Sequence, residues 1–239
     1  MSGPPNRPRL ESLIGDRPQL DALIINIELT LTSIIQGVAL SFLCENATAA
    51  LSHGRIHDLL YVANGLLLIL LFWSRSIGHT LTLIRWPIDF THNFFYFGAA
   101  LLEAVTFGQI GNAVAWFGTL TCFSIVVWLL FIVDQRLISR RTKDAGDKRL
   151  EQLMILVRKD QNRNIFWLVP ALIAFHAASA WFCFEADAHW PDWILMAPIL
   201  QFFCFLGYMV YLLRLMSRLF VLVHPEALMP HKSSRFERH

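Results

Sequence analysis

Five side chains that can carry or compensate charge recur along one short stretch: Asp89, His92, Asn93, Tyr96 and Glu103. At about 100° of turn per helical residue they fall within roughly 100° of arc. Phe94, Phe97, Leu101 and Val105 take the opposite arc. Two carboxylates and an imidazole on one face are the groups a proton or cation route uses where water is scarce. The plainer alternative is a buried network that closes against a neighbouring helix. Glu28 joins this polar set by type, although it belongs to an earlier apolar segment.

That segment contains IINIELTLTSIIQG, residues 24–37. The same arithmetic puts Ile27, Leu31, Ile34, Ile35, Val38 and Phe42 on one arc, suited to lipid. Asn26, Thr30, Ser33, Gln36, Gly37 and Ser41 lie opposite, with Glu28 and Thr32 at the border. A finer line runs through Leu29, Ser33, Gln36 and Leu40. In one reading these polar groups tie the helix to its neighbours, each interhelical hydrogen bond contributing about 0.6–2 kcal/mol. In the other, copies of the helix surround an aqueous axis. Leu29 and Leu40 are then hydrophobic constrictions that gate by dewetting, with Ser33 and Gln36 as polar rings between them.

Such chemistry needs helices in a bilayer to hold it, and the composition supplies them. Of 239 residues, 55% are hydrophobic and 16% charged, against about 25% charged in soluble domains. Mean hydropathy is +0.48. Spans of roughly 20 apolar residues are expected at about 22–43, 58–77, 87–107, 112–133, 165–184 and 193–213. Pro87 suits the first turn of the third span, and Pro170 and Pro198 predict kinks in the fifth and sixth. The expected fold is an all-α integral membrane protein of six transmembrane helices. The positive-inside rule orients it. Arg7, Arg9 and Arg17, then Arg75 and Arg85, then the basic 134–164 segment and the tail from 214 to 239 share one side, with both termini in the cytoplasm. The expected organisation is a cytoplasmic segment 1–21, helices one to four over 22–133, a basic and partly helical connection 134–164, helices five and six over 165–213, and a cytoplasmic tail 214–239. Leu150, Leu153, Met154 and Val157 give the connection an apolar face, a candidate contact for a cytoplasmic partner. No cleavable leader is visible in MSGPPNRPRL. A net charge of +2 gives no nucleic-acid footprint.

Before the charged face stands FWSRSIGHTLTLIRWPID, residues 72–89, with Arg75 and His79 one turn apart in the expected cytoplasmic connection. Over 57–107 the chain resembles the lysosomal potassium channel family and its bacterial six-helix relatives. Phe72, Trp73, His79, Asp89, Asn93 and Ala100-Leu101-Leu102 occupy the places of that family's residues. The resemblance implies six spans with both termini inside, a fourfold homo-oligomer, and the first helix lining the pore. The family's Phe-Ser-Asp signature is absent; the region reads LIINIELT. The resemblance therefore implies pore architecture without potassium selectivity.

Other chemistry is less well served. His176 and His92 would sit at different depths for a bis-His haem, so a haem-binding redox protein is an alternative and a satisfied core histidine the simpler role for His176. Glu45, His53, His57, Asp58, Glu185, Asp187, His189 and Asp192 could gather around a divalent cation in the outer loops, although no metal is expected. All four Lys lie outside the spans, which excludes a retinal Schiff base. Cys44, Cys122, Cys183 and Cys204 form no CxxC pair and read as packing residues, with a Cys44–Cys183 disulfide left open. Asn46-Ala-Thr48 is a formal sequon on the outer side. Ala115, Gly118 and Cys122, and Ala171, Ala174 and Ala178, permit close helix approach. The sequence thus points to a non-enzymatic, cofactor-free, homo-oligomeric ion channel in the cell (inner) membrane, cation-conducting and tetrameric by preference, its helices meeting the lipid bilayer. A non-catalytic membrane subunit docking through 134–164 is the alternative.

Overall fold

The computed structural model describes residues 17–83, 90–141, 148–189 and 193–223. Pro87 and Asp89 lie outside the described residues, as do the side chains of Glu28, His79 and Leu150. The described residues form seven α-helices: α1 (Arg17–Ser52), α2 (Leu59–Leu83), α3 (Phe90–Phe107), α4 (Ala113–Arg141), α5 (Lys148–Arg163), α6 (Val169–His189) and α7 (Met196–Val223). Among the described residues there is no strand. Within the described residues five stretches are long and apolar enough to cross a membrane: Leu29–Ser52, Ile56–Gly78, Ala113–Arg136, Glu151–Ala186 and Met196–Leu222. The described chain is thus all-helical, with five helices whose length and apolarity suit a membrane protein. α3 is not among the five, because His92, Asn93 and Glu103 interrupt an 18-residue helix.

The helices pack as a bundle with α1 at its flank. α1 meets α2 and α3, α3 meets α4, α4 meets α6, and α7 closes against α2. Trp116, Phe117, Leu120, Phe107 and Leu212 are fully buried at the centre. Gly65 on α2 admits Leu43 of α1 and Phe107 of α3. A Cβ there would stand 2.7 Å from the Leu43 Cδ1 and 3.0 Å from the Phe107 Cε1. α1 ends in a Schellman turn: Arg55 N–H donates to the Ala50 carbonyl at 2.9 Å and Gly54 N–H to Leu51 at 3.1 Å. Gly54 takes the left-handed φ of 67° that such a turn requires.

Several expected boundaries move. α1 runs nine residues past 43, so Asn46 and Thr48 are helical, and the Asn46 amide donates to the Phe42 carbonyl at 2.9 Å. The sequon is not in a loop. α2 continues to Leu83, which places Arg75 inside a buried helix face and not in a connection. The 134–164 segment is mostly helix, as the tail of α4 and as α5. Leu153, Met154 and Val157 are buried in this chain's own core, so that apolar face is not open to a partner. What α5 presents outwards is mainly polar, Glu151, Gln152, Arg158 and Lys159, with Ile155 exposed among them.

Neither proline produces the expected kink in the expected way. Pro198 lies in the first turn of α7, where no hydrogen bond is lost. Pro170 follows a π-helical turn, Asn164–Leu168, which joins α5 to α6. In that turn Val169 N–H donates to the Asn164 carbonyl. The Ile165 carbonyl should then pair with residue 170, which is proline and has no N–H. Trp128 of α4 provides the hydrogen instead, Nε1–H to the Ile165 oxygen at 2.8 Å.

Candidate functional site

Three buried polar networks cross the bundle. The first gathers where α2, α5 and α7 meet. The Asp160 carboxylate accepts from Arg75 Nη2 at 2.5 Å, from the Tyr211 hydroxyl at 2.5 Å and from Asn164 Nδ2 at 3.2 Å. Arg75 Nη2 also donates to Gln161 Oε1 at 3.2 Å, and Gln161 Nε2 to the Phe131 carbonyl at 2.9 Å. Tyr208 donates to Asn164 Oδ1 at 2.8 Å. The guanidinium lies 4.9 Å from the Phe131 ring centroid. A buried pair is tolerable only when its remaining lone pairs are satisfied, and Asp160 meets that condition with three donors. Arg75 does not, since Nε and Nη1 are buried without an acceptor.

The second network centres on His176, fully buried on α6. Trp116 Nε1–H donates to Gln201 Oε1 at 3.0 Å. An indole nitrogen can only donate, which fixes the Gln201 amide and turns its NH2 towards His176 Nε2, 3.4 Å away. Nε2 is therefore the acceptor and Nδ1 carries the proton, donating to Ser124 Oγ at 3.0 Å. Both ring nitrogens are occupied within the chain, and nothing in this arrangement offers iron a ligand. His92 pairs elsewhere, Nδ1 to Asp134 Oδ1 at 2.7 Å.

The third network holds α1 to α3. Glu103 is fully buried and accepts from Gln36 Nε2 at 3.1 Å. Tyr96 stacks on Phe72 at 5.1 Å. The described members of the α3 polar set, His92, Asn93, Tyr96 and Glu103, thus turn inwards, while Phe94, Phe97, Leu101 and Val105 are exposed. Glu103 and His92 are brought to different partners and not to one site.

The line Leu29, Ser33, Gln36, Leu40 is divided by the fold. Gln36 is buried with Thr32, Ala39 and Leu43 on the inner face of α1. Ser33 and Leu40 are exposed and Leu29 is half-buried. A longer exposed line takes its place: Asn26, Thr30, Ser33, Gly37, Ser41, Cys44 and Thr48. At about 100° per residue these seven fall within roughly 80° of arc over six turns. The sequence held this signal in their four-and-three spacing, but Gln36 lies so close in angle that only its contact with Glu103 separates it.

Among the described residues no three His, Cys, Asp or Glu gather as metal ligands. Asp58 pairs with Arg55 at 3.2 Å. All four cysteines are free, so Cys44 and Cys183 are not joined. Ala171, Ala174 and Ala178 face outwards and do not line a contact inside the chain. No family model, curated protein or solved structure matches the chain.

Proposed function

We propose that the chain is the subunit of a homo-oligomeric cation conduit in the cell (inner) membrane, with the α1 helices around the axis. The observation that carries this reading is the exposed polar line on α1. An interior polar group is satisfied by neighbours, but these seven residues face away from their own bundle. Hydrocarbon does not favour such a stripe, whereas a second copy or a water-filled axis does. Thr30 Oγ1 donates to the Asn26 carbonyl at 2.7 Å and Thr48 Oγ1 to Cys44 at 2.8 Å. Their hydrogens are spent on the backbone, so lone pairs face outwards, the polarity that replaces the hydration of a cation. Leu40, at the edge of the line, is the constriction. α3 is read as a sixth span whose polar face is covered by α1, α2 and α4. The even span count and the basic asymmetry then place both termini in the cytoplasm. A fourfold assembly follows from the resemblance over 57–107.

Native Cys44 lies on the proposed axis face, and Cys122 and Cys204 are exposed on α4 and α7. Three variants, each retaining one of these cysteines, are treated with a short bis-maleimide in native membranes. Covalent dimers from Cys44 and none from the other two are expected. Equal yields from all three, or none from Cys44, would remove α1 from the interface and end the conduit reading.

A further inference from the structure

The chain turns from apolar to basic on two neighbouring helices at one level. Two hydrogen bonds set that level: Tyr208 of α7 donates to Asn164 and Tyr211 to Asp160. On α7 the apolar run 208–213 gives way there to Arg214 and then Arg218, both exposed. On the antiparallel partner, Phe166 and Trp167, 68% and 75% exposed, give way to Arg163 and Lys159. Exposed aromatic rings beside exposed cations mark the depth where hydrocarbon meets water. We infer that the seam between α5 and α7 binds the headgroup phosphate of an anionic phospholipid, in the leaflet on the side of the basic segments. This rests on the proposed membrane placement and not on the α1 conduit.

Arg163 is held in place before any ligand arrives. Its guanidinium carbon lies 5.5 Å from the Tyr211 ring centroid, and the Tyr211 hydroxyl is anchored on Asp160 at 2.5 Å. A guanidinium stacked on a fixed ring loses less freedom when it binds a phosphate. Asp160, one turn before Arg163, does not neutralise it, because that carboxylate is occupied by Arg75, Tyr211 and Asn164. The exposed carboxylate of α5, Glu151, is twelve residues from Arg163, about 18 Å along the helix. On α7, Arg218 falls within about 20° of Tyr211 and Arg214 within about 60°, and on α5 Lys159 falls within about 40° of Arg163. The cations thus gather on the side of the stacked pair. Among the described residues Arg163, Arg214 and Arg218 make no ion pair. Arginine forks match phosphate oxygens, and basic pockets between membrane helices suit anionic headgroups. A soluble phosphate or an acidic protein would have to reach this depth through the headgroups. A lipid phosphate is already there, with its chains against Phe166 and Trp167.

The test uses the full chain in detergent with phosphatidylglycerol or phosphatidylcholine added at constant ionic strength. Bound lipid is counted by native mass spectrometry and the unfolding midpoint is followed in parallel. Phosphatidylglycerol should be retained in preference and should raise the midpoint saturably. Arg163→Gln and Arg214→Gln should each weaken its retention about fivefold, the effect of one basic residue at an anionic lipid surface. Arg158→Gln makes the same charge change on the far side of α5, about 140° from Arg163, and should leave retention unaltered. Tyr211→Leu keeps every cation and removes the ring, and should weaken retention as Arg163→Gln does. If Tyr211→Leu fails to fold, the contrast between Arg214→Gln and Arg158→Gln decides. Equal retention of the two lipids, or equal loss in Arg214→Gln and Arg158→Gln, would overturn the seam as a site. Inorganic phosphate that raises the midpoint as phosphatidylglycerol does would overturn the lipid assignment. Alkaline carbonate washing of native membranes reports insertion separately. A chain that stays in the pellet but shows no lipid preference loses the seam and keeps its membrane placement, whereas a chain washed off loses both.

Discussion

The indole Nε1–H of Trp128 donates at 2.8 Å to the Ile165 carbonyl, the oxygen that Pro170 leaves without a main-chain donor. A helix interior proline normally costs a hydrogen bond and forces a bend. Here one wide turn absorbs the ring and a neighbouring helix supplies the missing hydrogen. Trp128→Phe should therefore cost about 1–3 kcal/mol for the orphaned carbonyl, beyond what the smaller ring loses in packing. Pro170→Ala restores an N–H at the right place. The Trp128→Phe penalty should shrink in that background, as read from thermal unfolding of the single and double variants. An unchanged penalty would mean that Trp128 contributes packing alone.

Arg75 and Asp160 make a sharper contrast. Arg75→Met strands a buried carboxylate and should destabilise by about 3–5 kcal/mol. Asp160→Asn removes the charge but keeps an oxygen for Tyr211. The double variant Arg75→Met/Asp160→Asn should recover most of the loss, seen as a monodisperse peak on gel filtration in detergent and a recovered unfolding midpoint. Failure of the double variant to recover would show that Arg75 holds the helices by something other than charge balance, such as its stacking on Phe131.

Glu103 joins α3 to α1. It is fully buried and faces Gln36 of its own chain. Gln36→Leu removes that donor and should lower stability by about 1–3 kcal/mol. Glu103→Gln should leave cation flux through reconstituted protein unaltered, because the side chain does not reach the α1 polar line. A change in flux with no change in unfolding would return Glu103 to the conduction path.

The class of fold was legible because apolar runs of membrane length depend on composition alone. The inward turn of the α3 polar set was legible in part, from the clean opposition of His92, Tyr96 and Glu103 to Phe94, Phe97 and Leu101. Three features were not. Arg75 read as a flank to a span, since its partner Asp160 is 85 residues away and only tertiary packing joins them. Pro170 read as a kink, because nothing local announces that Trp128 will reach Ile165. Gln36 read as one of a line with Ser33 and Leu40, which differ from it by only about 40–60° on the helical wheel. A wheel gives relative angles and not the direction of the core, and that direction was set by Ala39 and Leu43 meeting α2 and α3.

Gly37 stands in the middle of the exposed polar line, and a Cβ built on it meets nothing within 4 Å. Within one subunit a larger residue is therefore accommodated, and leucine also suits a helix better than glycine. At a shared axis the same change is felt by every copy at once. Gly37→Leu should leave the unfolding of the isolated subunit unchanged or slightly improved, and should block flux or weaken assembly. Leu40→Ser should do the reverse, wetting the constriction and raising basal conductance in liposomes. Ile34→Ser, on the exposed apolar face, makes the same aliphatic-to-hydroxyl change in a direction that meets lipid and should leave conductance alone. If Gly37→Leu alters neither assembly nor flux, and Leu40→Ser and Ile34→Ser behave alike, the polar line of α1 does not face an axis.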